Sequence, residues 1–120
     1  MKWLLVCVFA CSCQSSLGAS IEAYREALRI DPEYADAWNN LGTVYYYEEK
    51  FDSARMFLTR ALKVDSAEAN AYNTLSLLEV QEGKYGQALS HINRALKLSP
   101  RDAYFLNNRG FILLMQGEHE

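Results

Sequence analysis

The sequence predicts an all-α chain in which antiparallel helix pairs stack into a superhelix, and three observations predict it. A pattern recurs every 34 residues: Ala37 to Gly42, Ala71 to Ser76 and Phe105 to Gly110 read AWNNLG, AYNTLS and FLNNRG. Proline occurs only at Pro32 and Pro100 and glycine is sparse, whereas a β-rich domain needs more turn residues. Each period also carries two apolar stripes at helical spacing, Trp38/Leu41/Tyr45 and then Phe51/Ala54/Leu58/Ala61/Leu62.

The bulk properties narrow the function. A length of 120 residues fits one small domain, and half the residues are hydrophobic, an ordinary globular balance. A formal charge of −3 offers no basic field for phosphates, which argues against nucleic acid as a partner. Cys7, Cys11 and Cys13 all fall in the first 13 residues, so neither a disulfide framework nor a metal site is expected in the body of the chain.

Residues 1–16 read MKWLLVCVFACSCQSS. One lysine, an apolar run from Trp3 to Cys11 and a small polar stretch follow the order of a secretory signal, and the run is too short to span a membrane. Val8-Phe9-Ala10-Cys11 also resembles a bacterial lipobox. That resemblance implies a lipid on Cys11, with Ser12 permitting sorting to the outer membrane of a Gram-negative cell, facing the periplasm. A second reading stays open. Leu4, Cys7 and Cys11 lie one period before Trp38, Leu41 and Tyr45, as in a degenerate first helix of another repeat; without a signal the chain would be cytoplasmic. Against it, Leu5, Val6 and Phe9 would then occupy a face that is polar elsewhere.

After the leader, residues 17–34 align with the second half of a unit, LGASIEAYREALRIDP against YGQALSHINRALKLSP. Complete units follow at 35–68 and 69–102, and residues 103–120 hold a first helix only. Trp38, Tyr72 and Leu106 share one position, Leu41, Leu75 and Arg109 the next, then Gly42, Ser76 and Gly110. Ala54 matches Ala88, Leu58 matches Ile92 and Ala61 matches Ala95. Gly42, Ala54 and Ala61 are small where two helices approach closely. Asp31-Pro32 and Ser99-Pro100 offer a capping side chain and a proline suited to a helix start.

These positions resemble the tetratricopeptide repeat, W-x2-L-G-x2-Y followed by A-x3-F, A and P, over about residues 17–120. The resemblance implies six helices in a right-handed solenoid whose first helices line a concave surface. Arg109 stands at a leucine position, where its stem can pack while the guanidinium reaches water. The last helix carries Phe111, Leu113, Leu114 and Met115 with no second helix to cover it, although solenoid ends normally need a polar cap.

Numbering each unit from its first alanine, positions 2, 5, 6, 9, 12 and 13 share one helical face. The groove is then expected to hold Asp36, Asn39, Asn40, Thr43, Tyr46 and Tyr47. The second unit would add Asn70, Asn73, Thr74, Leu77, Val80 and Gln81, and the third Tyr104, Asn107, Asn108, Phe111, Leu114 and Met115. Asn39, Asn73 and Asn107 should stack as a ladder. A carboxamide both donates and accepts, so it suits the backbone of an extended peptide. Three rungs of two bonds at about 1 kcal/mol each would supply roughly 6 kcal/mol, against about 8 kcal/mol for a micromolar complex. Plain solvation of an open groove explains the same residues. The lysine and arginine clamp by which chaperone-tail binders of this family hold a terminal carboxylate is missing, since its positions carry Asn39, Thr43, Asn73 and Leu77.

No catalytic constellation is visible. His91 reads as a partly exposed packing residue beside Ile92, His119 falls in the tail, and neither has a nucleophile partner. The sequence therefore points to a non-catalytic adaptor for a protein or peptide, membrane-tethered through its leader, without cofactor, metal or small-molecule substrate. The alternative is the recognition arm of a longer enzyme such as a glycosyltransferase, kinase or protease.

Overall fold

The computed structural model describes the backbone of residues 2–119 and the side chains of residues 16–118. Cys11, the expected lipid acceptor, lies outside the described side chains. Six helices follow one another: α1 (Lys2–Ile30), α2 (Ala35–Tyr47), α3 (Phe51–Val64), α4 (Ala69–Gln81), α5 (Tyr85–Leu98) and α6 (Ala103–His119). No strand occurs among the described residues. α1 runs through residue 16 without a break, so the expected leader boundary is not marked by a helix end.

Aspartates organise the inter-repeat turns. Asp31 Oδ1 accepts the Glu33 amide at 3.0 Å and Asp65 Oδ1 the Ala67 amide at 2.9 Å, tightening the chain just before α2 and α4. Ahead of α6 the cap is Asp102, which accepts from the Tyr104 and Phe105 amides at 2.9 and 3.2 Å. Ser99, the expected capping residue, instead directs its amide to the Ala95 carbonyl. Pro32 contributes by its carbonyl, which receives the Trp38 indole N–H at 2.8 Å and ties the repeat's tryptophan to the turn before it.

The turn inside each unit needs one left-handed residue. Gly83 takes it with φ 75° in the second unit, and Glu49 takes it with φ 62° in the first. A residue with a Cβ is strained there by about 1–2 kcal/mol, so the first unit carries a cost that the second avoids.

Each helix packs on its chain neighbours, and among the first helices α2 also packs on α4 and α4 on α6. The result is elongated, 51 × 38 × 25 Å, with a radius of gyration of 16.6 Å. A spherical domain of this length would have about 14 Å. The apolar interior is accordingly split into three clusters along the stack, each formed by adjacent helices, as expected when every repeat touches only its neighbours. Second-helix residues at matching positions, Ala54/Leu58/Ala61 and Ala88/Ile92/Ala95, are fully buried in both complete units. Gly42 lies so close under α3 that an added Cβ would stand 2.6 Å from Leu58 Cγ.

One buried charge belongs to this scaffold. Glu79, at the position Tyr45 holds in the unit before, is 1% exposed, bonded to His91 Nδ1 at 2.8 Å and 3.7 Å from Arg55. Arg55 also pairs with Glu82. His91 is thus half-buried as expected and does more than fill space. With Arg55 it partners a carboxyl group that bridges α3, α4 and α5, which is how a buried polar group is tolerated.

Candidate functional site

The first helices are not stacked level with one another. Asn108 Nδ2 donates to Asn73 Oδ1 at 2.8 Å, and the Thr43 and Thr74 hydroxyls stand 3.5 Å apart. These pairs are separated by 35 and 31 residues, so position 6 of one unit sits between positions 5 and 9 of the unit before. The expected ladder of Asn39, Asn73 and Asn107 is therefore corrected. Asn107 is exposed, and its neighbour Asn108, 8% exposed, turns inward to close on Asn73. Counting helical faces at 100° per residue does not include the offset between neighbouring helices, which decides which amide meets which.

By the same offset Asn39 faces Thr74, and threonine cannot do what Asn108 does. The Thr74 hydroxyl donates to the Asn70 carbonyl at 3.1 Å, one turn back along its own helix. Asn39 Oδ1 is left buried with no hydrogen-bond partner, the side chain being 7% exposed. A buried acceptor without a donor costs about 1–3 kcal/mol, and few are found in native proteins.

Asn39 lines an open cleft of about 250 Å³ between α2 and α4, with its Oδ1 just beneath the wall. The cleft brings together Asn39, Asn40, Thr43, Tyr46 and Tyr47 from the first unit with Asn70, Asn73, Thr74 and Leu77 from the second, and Tyr104 closes one side. Asn107, Asn108 and Phe111, expected in the same groove, lie outside this lining. Val80, also expected there, is buried against Ala88 and Ile92 instead. Arg109 is exposed, and no second helix covers α6 among the described residues.

The wall is chemically mixed. Burial pushes the Tyr46 phenol above its ordinary pKa, with a partly opposing hydrogen bond from Gln81, so it stays a neutral group at physiological pH. Its ring meets Tyr47 edge-on at 5.4 Å, and Tyr47 is largely exposed at the rim. No lysine or arginine lines the cleft. Just before α4, the Glu68 carboxyl is pushed up to about 7, first by burial and then by its hydrogen bond to Asp36 and the charges of Asp36 and Asp65. Sequence reasoning missed this pair, since the two residues approach only when α4 stacks on α2.

Among the described residues, no group of three or more His, Cys, Asp or Glu could hold a metal, and no helix is long and apolar enough to cross a membrane.

Paired helices, split cores and a polar concave cleft define a helical-repeat protein. The chain belongs to the tetratricopeptide repeat family: models described as tetratricopeptide repeat match residues 33–101 and 91–120, and one described as TPR repeat matches 14–48. Human protein O-mannosyl-transferase TMTC1 is 38% identical over 48 residues, which is 40% of this chain. This chain spans only 5% of the length of that relative. Among solved structures, the first TPR of Spaghetti (RPAP3) bound to HSP90 peptide SRMEEVD superposes with a TM-score of 0.77 at 19% identity, covering 90% of this chain and 86% of that one.

Proposed function

We propose that this chain is a non-catalytic adaptor that holds an extended segment of a partner protein in the cleft between α2 and α4. The observation that carries the reading is Asn39, whose Oδ1 is buried without a partner and which lines a cleft walled by amides, hydroxyls and tyrosine rings, so that a small turn of its side chain would offer that acceptor to a ligand. A peptide backbone N–H is the donor it lacks, and Asn40, Asn70 and Thr43 are placed to meet neighbouring backbone groups. The structural neighbour's bound peptide supports the same use of the fold. That peptide, SRMEEVD, carries three acidic residues and is a poor guide here, because nothing cationic lines the cleft. We also propose that Cys11 carries a lipid that tethers the adaptor in the cell envelope; Cys11→Ser should then move the protein out of the membrane fraction. The short match to a mannosyl-transferase favours, as a second reading, a role as the recognition arm of a longer enzyme.

The test is an array of end-blocked heptapeptides probed with the native chain and with Asn39→Leu. Peptides captured by the native chain and lost by the variant, with helicity unchanged, support the reading. Equal capture by both would refute it.

A further inference from the structure

The two complete units separate their charges. α2 and α4, which line the cleft, carry no lysine or arginine and hold Asp36 and Glu79. α3 and α5 take no part in the cleft, and they carry Arg55, Arg60, Lys63, Arg94 and Lys97 against Asp52 alone. Arg55 is committed to Glu79 and Glu82. Arg60, Lys63, Arg94 and Lys97 form no ion pair or hydrogen bond among the described residues, and all are exposed. The field at a helix C-terminus accounts for Lys63 and Lys97, which lie in the last turn, but not for the arginines one turn earlier.

Both arginines lie over a ring instead. The Arg60 guanidinium stands 5.5 Å from the Trp38 centroid and that of Arg94 5.9 Å from the Tyr72 centroid. Stacking covers one face of a guanidinium and fixes its position, while the N–H donors around its edge stay free to take a carboxylate two at a time.

The first unit adds an apolar hollow to these cations. Beside Trp38 it measures about 580 Å³ and is completed by Met56, Phe57, Thr59, Arg60 and Lys63. Its aromatic side is held in place: Phe57 stacks on Trp38 at 6.0 Å and on Tyr45 at 5.2 Å, and the Trp38 indole N–H is taken by the Pro32 carbonyl. Met56 is 59% exposed beside it. One unit later Ser90 and His91 stand at the Met56 and Phe57 positions, and His91 is held by Glu79. Asp31 and Glu33 share a separate hollow with Arg60 and Lys63 without pairing with them, so the approach past Met56 and Thr59 meets cations and no anion.

We propose that this face docks an acidic segment of a partner protein, with one large apolar side chain entering the hollow beside Trp38 and neighbouring carboxylates meeting Arg60 and Lys63. Charge complementarity sets the sign of the partner, and the hollow sets the apolar residue. Arg94 and Lys97 extend the track by one unit. A sheet of anionic lipid would meet the cations of both units alike, whereas a hollow present beside Trp38 and not beside Tyr72 selects a single side chain. The site is separate from the cleft and does not involve Asn39.

The test uses end-blocked heptapeptides with one leucine or phenylalanine among glutamates, the same peptides with glutamine for glutamate, and vesicles of phosphatidylcholine with phosphatidylglycerol. By fluorescence anisotropy the native chain should bind the acidic peptides and not the glutamine ones, and more weakly as salt is raised. Arg60→Gln combined with Lys63→Gln should weaken binding about tenfold, and Arg94→Gln with Lys97→Gln about threefold. Met56→Glu, which places a carboxylate at the hollow, should weaken it at least as much as the first pair, and Asn39→Leu should leave it unchanged. Should the first pair lose helicity, Lys63→Glu reverses the charge without touching Trp38. Acidic peptides that fail to bind, that bind no better than the glutamine ones, or that are lost with Asn39→Leu and not with the first pair overturn the proposal. Vesicle binding that the first pair abolishes, with no acidic peptide bound, would overturn it in favour of a lipid surface.

Discussion

Replacing Thr74 by asparagine should copy the Asn73–Asn108 pair onto Asn39 and close the cleft from within. In the native chain the Thr74 hydroxyl spends its proton on the Asn70 carbonyl, and Asn39 Oδ1 has no donor. A carboxamide at 74 would reach it as Asn108 reaches Asn73, at 2.8 Å. One net hydrogen bond is worth about 1 kcal/mol, and satisfying the acceptor removes a penalty of about 1–3 kcal/mol. Against this stand the lost hydroxyl bond to Asn70 and the long contact with Thr43, together about 1 kcal/mol. The expected balance is a gain of about 1–3 kcal/mol, or a rise in Tm of at least about 3 °C for a domain of this size. Peptide affinity should fall about tenfold, since about 1.4 kcal/mol of binding is now spent inside the protein. Thermal unfolding by circular dichroism and titration with an array-selected peptide give the two numbers. A variant of lower Tm that binds as well as the native chain would sink the argument, because both the orphan acceptor and its role would then be wrong.

Other perturbations test separate parts of the structure. Glu68, with its pKa raised to about 7, holds its proton more tightly folded than unfolded, so stability should fall as pH rises from about 4.5 to 7 and then level. After allowance for solvent screening the change is at most about 1 kcal/mol, and Glu68→Gln should flatten the Tm–pH curve. Gly42→Ala forces a Cβ to within 2.6 Å of Leu58 Cγ and should cost about 1–3 kcal/mol by denaturant titration. Glu49→Gly should raise stability by up to about 1 kcal/mol and Gly83→Ala lower it by about the same, because φ is positive at both. Asn108→Thr should leave Asn73 without its donor and lower Tm by about 4–8 °C, the reverse of Thr74→Asn.

The helices and their pairing were legible because they rest on local pattern. The 34-residue period places Leu41, Ala54, Leu58 and Ala61 on buried faces, and the structure buries all of them. What depends on how neighbouring units are offset was not legible. Asn73 bonds Asn108 rather than stacking between Asn39 and Asn107, Val80 turns to the core rather than the groove, and Asp36 meets Glu68. Glu79 shows the same limit from inside the core: a lone glutamate in an apolar stripe reads as an error until Arg55 and His91 arrive from other helices. The Ser99 expectation failed for a local reason, because Asp102 lies nearer the helix start and its carboxylate accepts two amides at once.

The recurring asparagine therefore does not have one meaning in this chain. At position 5 of the two complete units it presents an amide to the next unit, and the residue at position 6 of that unit decides the outcome. Asparagine at 108 answers Asn73 and locks two first helices together. Threonine at 74 does not answer Asn39, because a β-hydroxyl on a helix is drawn back to its own carbonyl four residues earlier. The open acceptor thus arises from a difference of one side chain between otherwise equivalent interfaces. The two junctions therefore differ in kind, since the Asn73–Asn108 pair ties its two helices together while Asn39 keeps an acceptor without a donor.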